Sequence, residues 1–330
     1  MDIADLLAFS AGHGASDVHL SAGVVPMLRV DGEMQRSGLP VLAPDQVRAL
    51  VHSVMTQAQR SEFETGREAD FSCEVAGLGR FRVNAFEQQR GAGAVFRSIA
   101  QAIPSLESLG LGEVFRRICH LSHGLVLVTG ATGSGKSTTL AAMIDHLNST
   151  RQQHILSIED PIEFIHEPRQ SLINQREVHR DTHSFAAALR SALREDPDVI
   201  MLGEMRDLET IRLALTAAET GHLVLATLHT SSATRTIDRV VDVFPAEEKA
   251  MVRTMLSESL QAVISQTLVK KVGGGRVAAH EIMLATPAIR NLIRENKVAQ
   301  MVSAIQTGAA VGMQTLEMSL KRLRGAGIIC

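Results

Sequence analysis

The sequence predicts an α/β fold: a mostly parallel sheet carrying a phosphate-binding loop (P-loop), preceded by a smaller α+β domain. The P-loop prediction rests on Gly130-Ala-Thr-Gly-Ser-Gly-Lys-Ser137, which fits G-x-x-x-x-G-K-[ST]. Its flanks supply the setting that the pattern needs: the apolar β-type run Leu125–Thr129 before it and the helix-prone Thr138–Leu147 after it. Further buried-strand runs at His154–Ile158, Asp198–Leu202 and Leu223–Leu228 predict the parallel sheet. They alternate with helix-forming stretches at about 138–147, 184–194 and 207–219, the β–α–β–α order of a sheet covered by helices. The smaller domain is predicted by period-two alternation at Ala69–Val75, Arg80–Phe86 and Gly93–Arg97, which reads as antiparallel strands.

In chain order, Ile3–Ala11 predicts a short amphipathic helix closed by Gly12 and Gly14. Asp17–Leu20 and Met27–Val30 read as strands, and Asp31-Gly32 as the turn of a hairpin. Pro44 opens a helix expected to run to about Gln59. Residues 1–97 form the expected N-terminal domain, 98–104 a linker that is polar and ends in Pro104, and 105–330 the nucleotide domain. Pro245–Lys271 is expected to be a long helix or a helix pair, because Glu247 and Glu248 at its start and Lys270 and Lys271 at its end suit the helix dipole. Gly273–Gly275 is expected to be a flexible break, followed by shorter helices to Cys330.

Composition narrows the function. A chain of 330 residues suits two domains, each with its own core. No apolar run approaches the ~18 residues that span a bilayer. The opening Met1–Leu7 is acidic and has no basic region, so no secretory signal is expected. A net charge of −3 and the absence of Trp and Tyr argue against nucleic acid as a partner. Cys73, Cys119 and Cys330 are scattered and lack metal spacing, which fits thiols in a reducing, cytoplasmic compartment.

A P-loop cradles phosphates; hydrolysis also needs a metal holder, a group that orients water, and cations on the γ-phosphate. The loop set is Gly130, Thr132, Gly133, Ser134, Gly135, Lys136, Ser137 and Thr138, with Lys136 reaching the β- and γ-phosphates and the Ser137 hydroxyl suited to Mg²⁺. Ile158-Glu-Asp-Pro-Ile-Glu163 puts three carboxylates after a strand, where ligands bind in open α/β sheets. One of them activates water, or the patch is a solvated acidic loop. Asp198-Val-Ile-Met-Leu-Gly-Glu204 has the form of a Walker B strand ending in Glu204, with Gly203 where a metal-binding Asp is usual. Thr220-Gly-His-Leu-Val-Leu-Ala-Thr-Leu-His229 brackets a buried strand with His222 and His229. Seven residues of strand is poor spacing for one zinc ion, so contact with a γ-phosphate or with its water is the favoured reading. Arg80, Arg82 and Arg97 lie on predicted strands of the first domain, with Arg90 in the connecting turn; they are solvated charge or arginine fingers.

Together these patches resemble the secretion-type RecA-like ATPases, and within them the retraction motors of type IV pili. Gly130–Ser137 is similar to their Walker A, Ile158–Glu163 to their aspartate box, Asp198–Glu204 to their Walker B, and Thr220–His229 to their histidine box. Ala288-Ile-Arg-Asn-Leu-Ile-Arg-Glu295 is similar to the segment that sets retraction ATPases apart from extension ATPases. The resemblance implies a PAS-like N-terminal domain, a RecA-like C-terminal domain, ATP and Mg²⁺, and a homohexamer. It also implies a place in the cytoplasm at the inner-membrane pilus base, against a platform protein, with no insertion into the membrane. By resemblance Glu163 orients water, Glu204 supports metal and water, His222 and His229 sense the γ-phosphate, and Arg82 and Arg97 are the fingers, Arg80 less clearly so. The sequence departs from the pattern at His123, where relatives often carry an arginine. The apolar stripe Ile289, Leu292 and Ile293 is either a partner surface or packed on its own domain, which leaves Arg290, Arg294 and Glu295 to a partner. Rival readings are a sister motor of pilus or type II secretion systems and a RecA-like nucleic-acid motor. The second rival conflicts with the net acidity.

Overall fold

The computed structural model describes residues 2–99 and 102–330; residues 100 and 101 of the expected linker lie outside it. The chain divides into two compact units, Met1–Ala102 and Ile103–Cys330.

The first unit begins with α1 (Ile3–Gly12), opened by a reciprocal cap in which Asp5 N–H donates to Asp2 at 2.8 Å and Asp2 N–H donates to Asp5 at 3.2 Å. Strands β1 (Asp17–Ser21), β2 (Met27–Val30), β3 (Glu33–Arg36), β4 (Glu68–Val75), β5 (Gly79–Gln88) and β6 (Gly91–Ser98) form one antiparallel sheet in the order β3-β2-β1-β6-β5-β4. Asp31 and Gly32 both take positive φ, 49° and 90°, as the tight β2–β3 hairpin requires. The helix expected over Pro44–Gln59 is two helices, α2 (Pro44–Ser53) and α3 (Gln57–Gly66). Thr56 breaks it: its backbone is extended, its hydroxyl accepts from Gln59 N–H, and the Gln59 side chain accepts from Thr56 N–H. Phe63, Phe81, Val83 and Phe96 fill the core between sheet and helices.

The second unit is a three-layer α/β domain. After α4 (Glu113–Cys119), strand β7 (Gly124–Thr129) leads through the glycine loop into α5 (Lys136–Thr150). There follow β8 (His154–Glu159), β9 (Leu172–Glu177), α6 (Phe185–Ala192), β10 (Val199–Leu202), α7 (Leu208–Glu219), β11 (Leu223–Leu228) and α8 (Ala233–Asp242). With two later strands, β12 (Leu260–Lys270) and β13 (Arg276–Leu284), the sheet runs β13-β12-β7-β11-β10-β8-β9, parallel throughout except for the β12–β13 hairpin. Strand β7 is buried on both faces: Leu125 and Leu127 join the core built with α6 and α7, whereas Val126 and Val128 join the core built with α4 and α5.

The helix expected over Pro245–Lys271 is α9 (Lys249–Ser259) followed by a strand, β12 (Leu260–Lys270). The acids and lysines that suggested one dipole belong to different elements. β12 lies between β7 and an antiparallel β13 (Arg276–Leu284), and burial there outweighs the end charges. Gly273–Gly275 is therefore a hairpin connection, and 276–284 is strand where helix was expected. Helices α10 (Pro287–Arg294), α11 (Met301–Thr307) and α12 (Leu316–Gly325) complete the chain. Ile289 and Ile293 of α10 are buried in the core, with Leu292 packed against them, so the stripe faces its own domain. Arg290 is also engaged: it donates to the Ser257 and Glu258 carbonyls and to Gln261, which caps the end of α9. Among the described residues no helix is long and apolar enough to cross a membrane.

Candidate active site

The parallel register brings the ends of β7, β11, β10 and β8 to one edge, pairing Thr129 with Leu228 and Leu202 with both Ala226 and Ile158. The residues just past those ends are the glycine loop, His229, Glu204 and the segment from Asp160 to Glu163. That edge is the carboxyl edge, where ligands bind in open α/β sheets.

The loop is shaped for an anion. Gly130 has φ 145°, and a side chain there would collide with the Gln266 carbonyl and the Ser134 hydroxyl. Gln266, 2% exposed on β12, ties the loop down: its Nε2 donates to Ser134 O at 2.6 Å and its Oε1 accepts from Thr139 Oγ1 at 2.9 Å. No side chain caps α5, so its leading N–H groups face the loop. Buried Thr129 Oγ1 and Ser134 Oγ have no hydrogen-bond partner. Uncapped donors, unsatisfied hydroxyls and a backbone closed to a Cβ at Gly130 all fit phosphate oxygens.

Lys136 is 8% exposed, and its Nζ donates to Gly130 O at 3.0 Å and Ala131 O at 3.2 Å. Burial lowers its pKa; Glu204 and Glu163 act in the opposite direction. Its Nζ also lies 3.5 Å from His229 Nδ1. An ammonium only donates, so Nδ1 accepts and the His229 proton sits on Nε2, 3.2 Å from Glu204 Oε1. The second Glu204 oxygen receives Arg206 Nε at 2.9 Å. Lysine, histidine and glutamate thus form one connected polar chain beside the loop. Gly203 abuts β8: a Cβ there would come within 3.3 Å of Glu159 Cα, which leaves Glu204 as the acid of that strand end.

The aspartate-box carboxylates separate by environment. Glu159 is 8% exposed, and burial pushes its pKa up to about 7; Ser157 and Gln175 donate to it and oppose the rise, while neighbouring Glu163 adds to it. Glu163 is partly exposed on the loop after β8.

Ser137, exposed on the first turn of α5, offers the hydroxyl that would hold a Mg²⁺ ion. Among the described residues no group of three or more His, Cys, Asp or Glu forms a cation cage.

His222 requires a correction. It lies one residue before β11, about 23 Å along the strand from His229 at ~3.3 Å per residue. Its Nδ1 faces Ala217 O at 2.9 Å, so within one protomer it sits at the opposite edge of the sheet from the P-loop. An extended strand cannot place both histidines on one phosphate. In the first unit, Arg82 and Arg97 are directly opposed neighbours on β5 and β6. Arg82 pairs bidentately with Asp70, Arg97 donates to buried Asp17 at 2.7 Å, and Arg80 donates to Ser72. Three contributors escaped the sequence reading. Gln266 lay in a presumed helix, Glu159 was one of three equivalent acids, and Gln175 carries no motif.

A family profile for type II/IV secretion system proteins matches residues 5–274. The chain is 70% identical over 329 residues to the Pseudomonas aeruginosa type IV pilus retraction ATPase PilT, covering all of this chain and 96% of that one. It is 60% identical over 305 residues to a twitching motility protein of Neisseria gonorrhoeae, covering 92% of this chain and 82% of that one. Among solved structures, the pilus retraction motor PilT with bound ADP matches with a TM-score of 0.92 at 49% identity, covering 100% of this chain and 95% of that one. With the P-loop edge as described, the chain belongs to the type II/IV secretion system protein family, as an ATPase.

Proposed function

We propose that this protein is a Mg²⁺-dependent ATPase motor that retracts type IV pili and so drives twitching motility. The observation that carries it is the single sheet edge joining the glycine loop, Lys136, His229 and Glu204, in a chain 70% identical over its full length to a named retraction ATPase. In this reading the loop amides and Lys136 bind the ATP phosphates. Glu163 orients the attacking water and takes its proton. Glu204 and Lys136 engage the two ring nitrogens of His229, and the Glu204–His229 pair in turn orients Lys136 toward the γ-phosphate. Mg²⁺, held by Ser137 with Glu204 acting through water, would neutralise phosphate charge.

The same reading makes the first unit PAS-like, residues 98–104 a linker and the assembly a homohexamer. Arg82 and Arg97, with Arg80, then act as cations supplied to a neighbouring subunit's nucleotide. Their present carboxylate partners, Asp70 and Asp17, would have to yield in that closed state. Loss of γ-phosphate contacts on hydrolysis would reopen the interface, turning chemistry into domain rotation. The motor would sit at the cytoplasmic face of the inner membrane against a platform protein.

The test is ATP turnover by purified Glu204→Ala. It should bind ATP with near-normal affinity yet hydrolyse it about 10²–10³-fold more slowly, the range for loss of one preorganised transition-state contact. Wild-type turnover would end the site assignment.

A further inference from the structure

Strand β9 lies at the sheet edge beside β8 and carries none of the motifs above, yet its side chains grip the loop that bears Glu163. The Gln175 carboxamide makes three hydrogen bonds: Nε2 donates to Phe164 O at 2.8 Å and to Glu159 Oε1 at 3.2 Å, and Oε1 accepts from His166 N–H at 2.8 Å. Two residues on, Glu177 Oε2 accepts from Ile162 N–H at 3.0 Å. The loop is thus fixed at 162, 164 and 166, on both sides of Glu163, by two side chains of one strand. The parallel register sets this up by pairing Ser157 with Gln175 and Glu159 with Glu177. Ser157 Oγ donates to the same Glu159 oxygen at 2.7 Å, so Gln175 joins the loop to a buried polar network.

We propose that Gln175, assisted by Glu177, is a positioning residue that holds the Glu163 loop in its hydrolytic conformation. The inference rests on Glu163 orienting the attacking water. A carboxylate on an extended loop segment samples many positions, whereas one bracketed by three anchored neighbours samples few. Misplacement of a catalytic group by about 1 Å costs on the order of 100-fold in rate. Gln175 meets the loop backbone and Glu159, and none of its hydrogen bonds reaches the phosphate loop, so substrate affinity should be insensitive to it.

The experiment is steady-state hydrolysis by the full-length protein carrying Gln175→Met, which keeps the side-chain volume and removes all three bonds. The expected result is a kcat lower by about tenfold or more, with KM for ATP and affinity for ADP within about twofold of wild type. In a Glu163→Gln background the same change should have little further effect, because both act through one carboxylate. If Gln175→Met does not fold, Gln175→Asn, one methylene too short to reach the loop, replaces it with the same expectation. An unchanged kcat overturns the proposal. So does a parallel loss of kcat, ADP affinity and thermal stability, or a full multiplicative loss on top of Glu163→Gln. If instead Glu163→Gln alone hydrolyses ATP at the wild-type rate, the role of Glu163 has failed, which is a different result from a failed Gln175.

Discussion

Lys136 and Glu159 meet opposite burial problems at the same strand ends. Burial disfavours the charge on each: it lowers the lysine's pKa, against the opposing pull of Glu204 and Glu163, and pushes the glutamate's up to about 7. Lys136→Ala removes the ammonium that donates to the Gly130 and Ala131 carbonyls of the loop. Hydrogen bonds to charged groups are worth about 1.5–3 kcal/mol, so ATP affinity should fall by roughly 10- to 100-fold in a calorimetric titration. Glu159 makes a pH prediction. Its folded pKa lies above the ordinary glutamate value of 4.5, so the folded state holds the proton more tightly than the unfolded chain does. The resulting stability is complete below about 4.5 and is lost as pH rises through about 7. Glu159→Gln removes this titration. The variant should therefore gain unfolding free energy relative to wild type as pH rises from 5 to 8, by a few kcal/mol at most at about 1.4 kcal/mol per unit. A difference that stays flat across that range would refute the shift.

At the scale of elements, α10 shows how packing decides between readings that a stripe leaves open. Ile289 and Ile293 are buried, and Arg290 is spent on the end of α9, so Arg294 and Glu295 are the exposed charges of that helix. Ile293→Ala should cost about 2–5 kcal/mol in urea unfolding, the range for a large-to-small core change. A cost near zero would put the side chain outside the core. The glycine loop, the four parallel strands and the α1 and β2–β3 boundaries were legible because each is written locally, in glycines, caps and unbroken apolar runs. Strand β12 was not. Leu260–Lys270 is apolar in both helical and extended form, and only its seat between β7 and β13 selects the strand. With β12 misread, Gln266 had no reason to face the P-loop. The break at Thr56 was legible in principle, since Thr56-Gln57-Ala58-Gln59 is a capping box, but the apolar spacing ran through it. Gln175 shows a different limit: its importance lies in reaching across register to another loop, which no local pattern records.

At the scale of the whole molecule, the coupling of chemistry to work rests on direction and on site together. In the proposed account, hydrolysis at the β7–β11–β10–β8 edge is the chemical half, and retraction of an extended pilus is the mechanical half. A sister extension motor would use the same edge for the opposite outcome, so turnover alone does not separate them. The deciding measurement is made in cells whose own gene carries Glu204→Ala, counting surface pili and scoring twitching. Retraction powered at this site predicts an excess of surface pili with twitching abolished. Bald cells, or twitching at the normal rate, would contradict it.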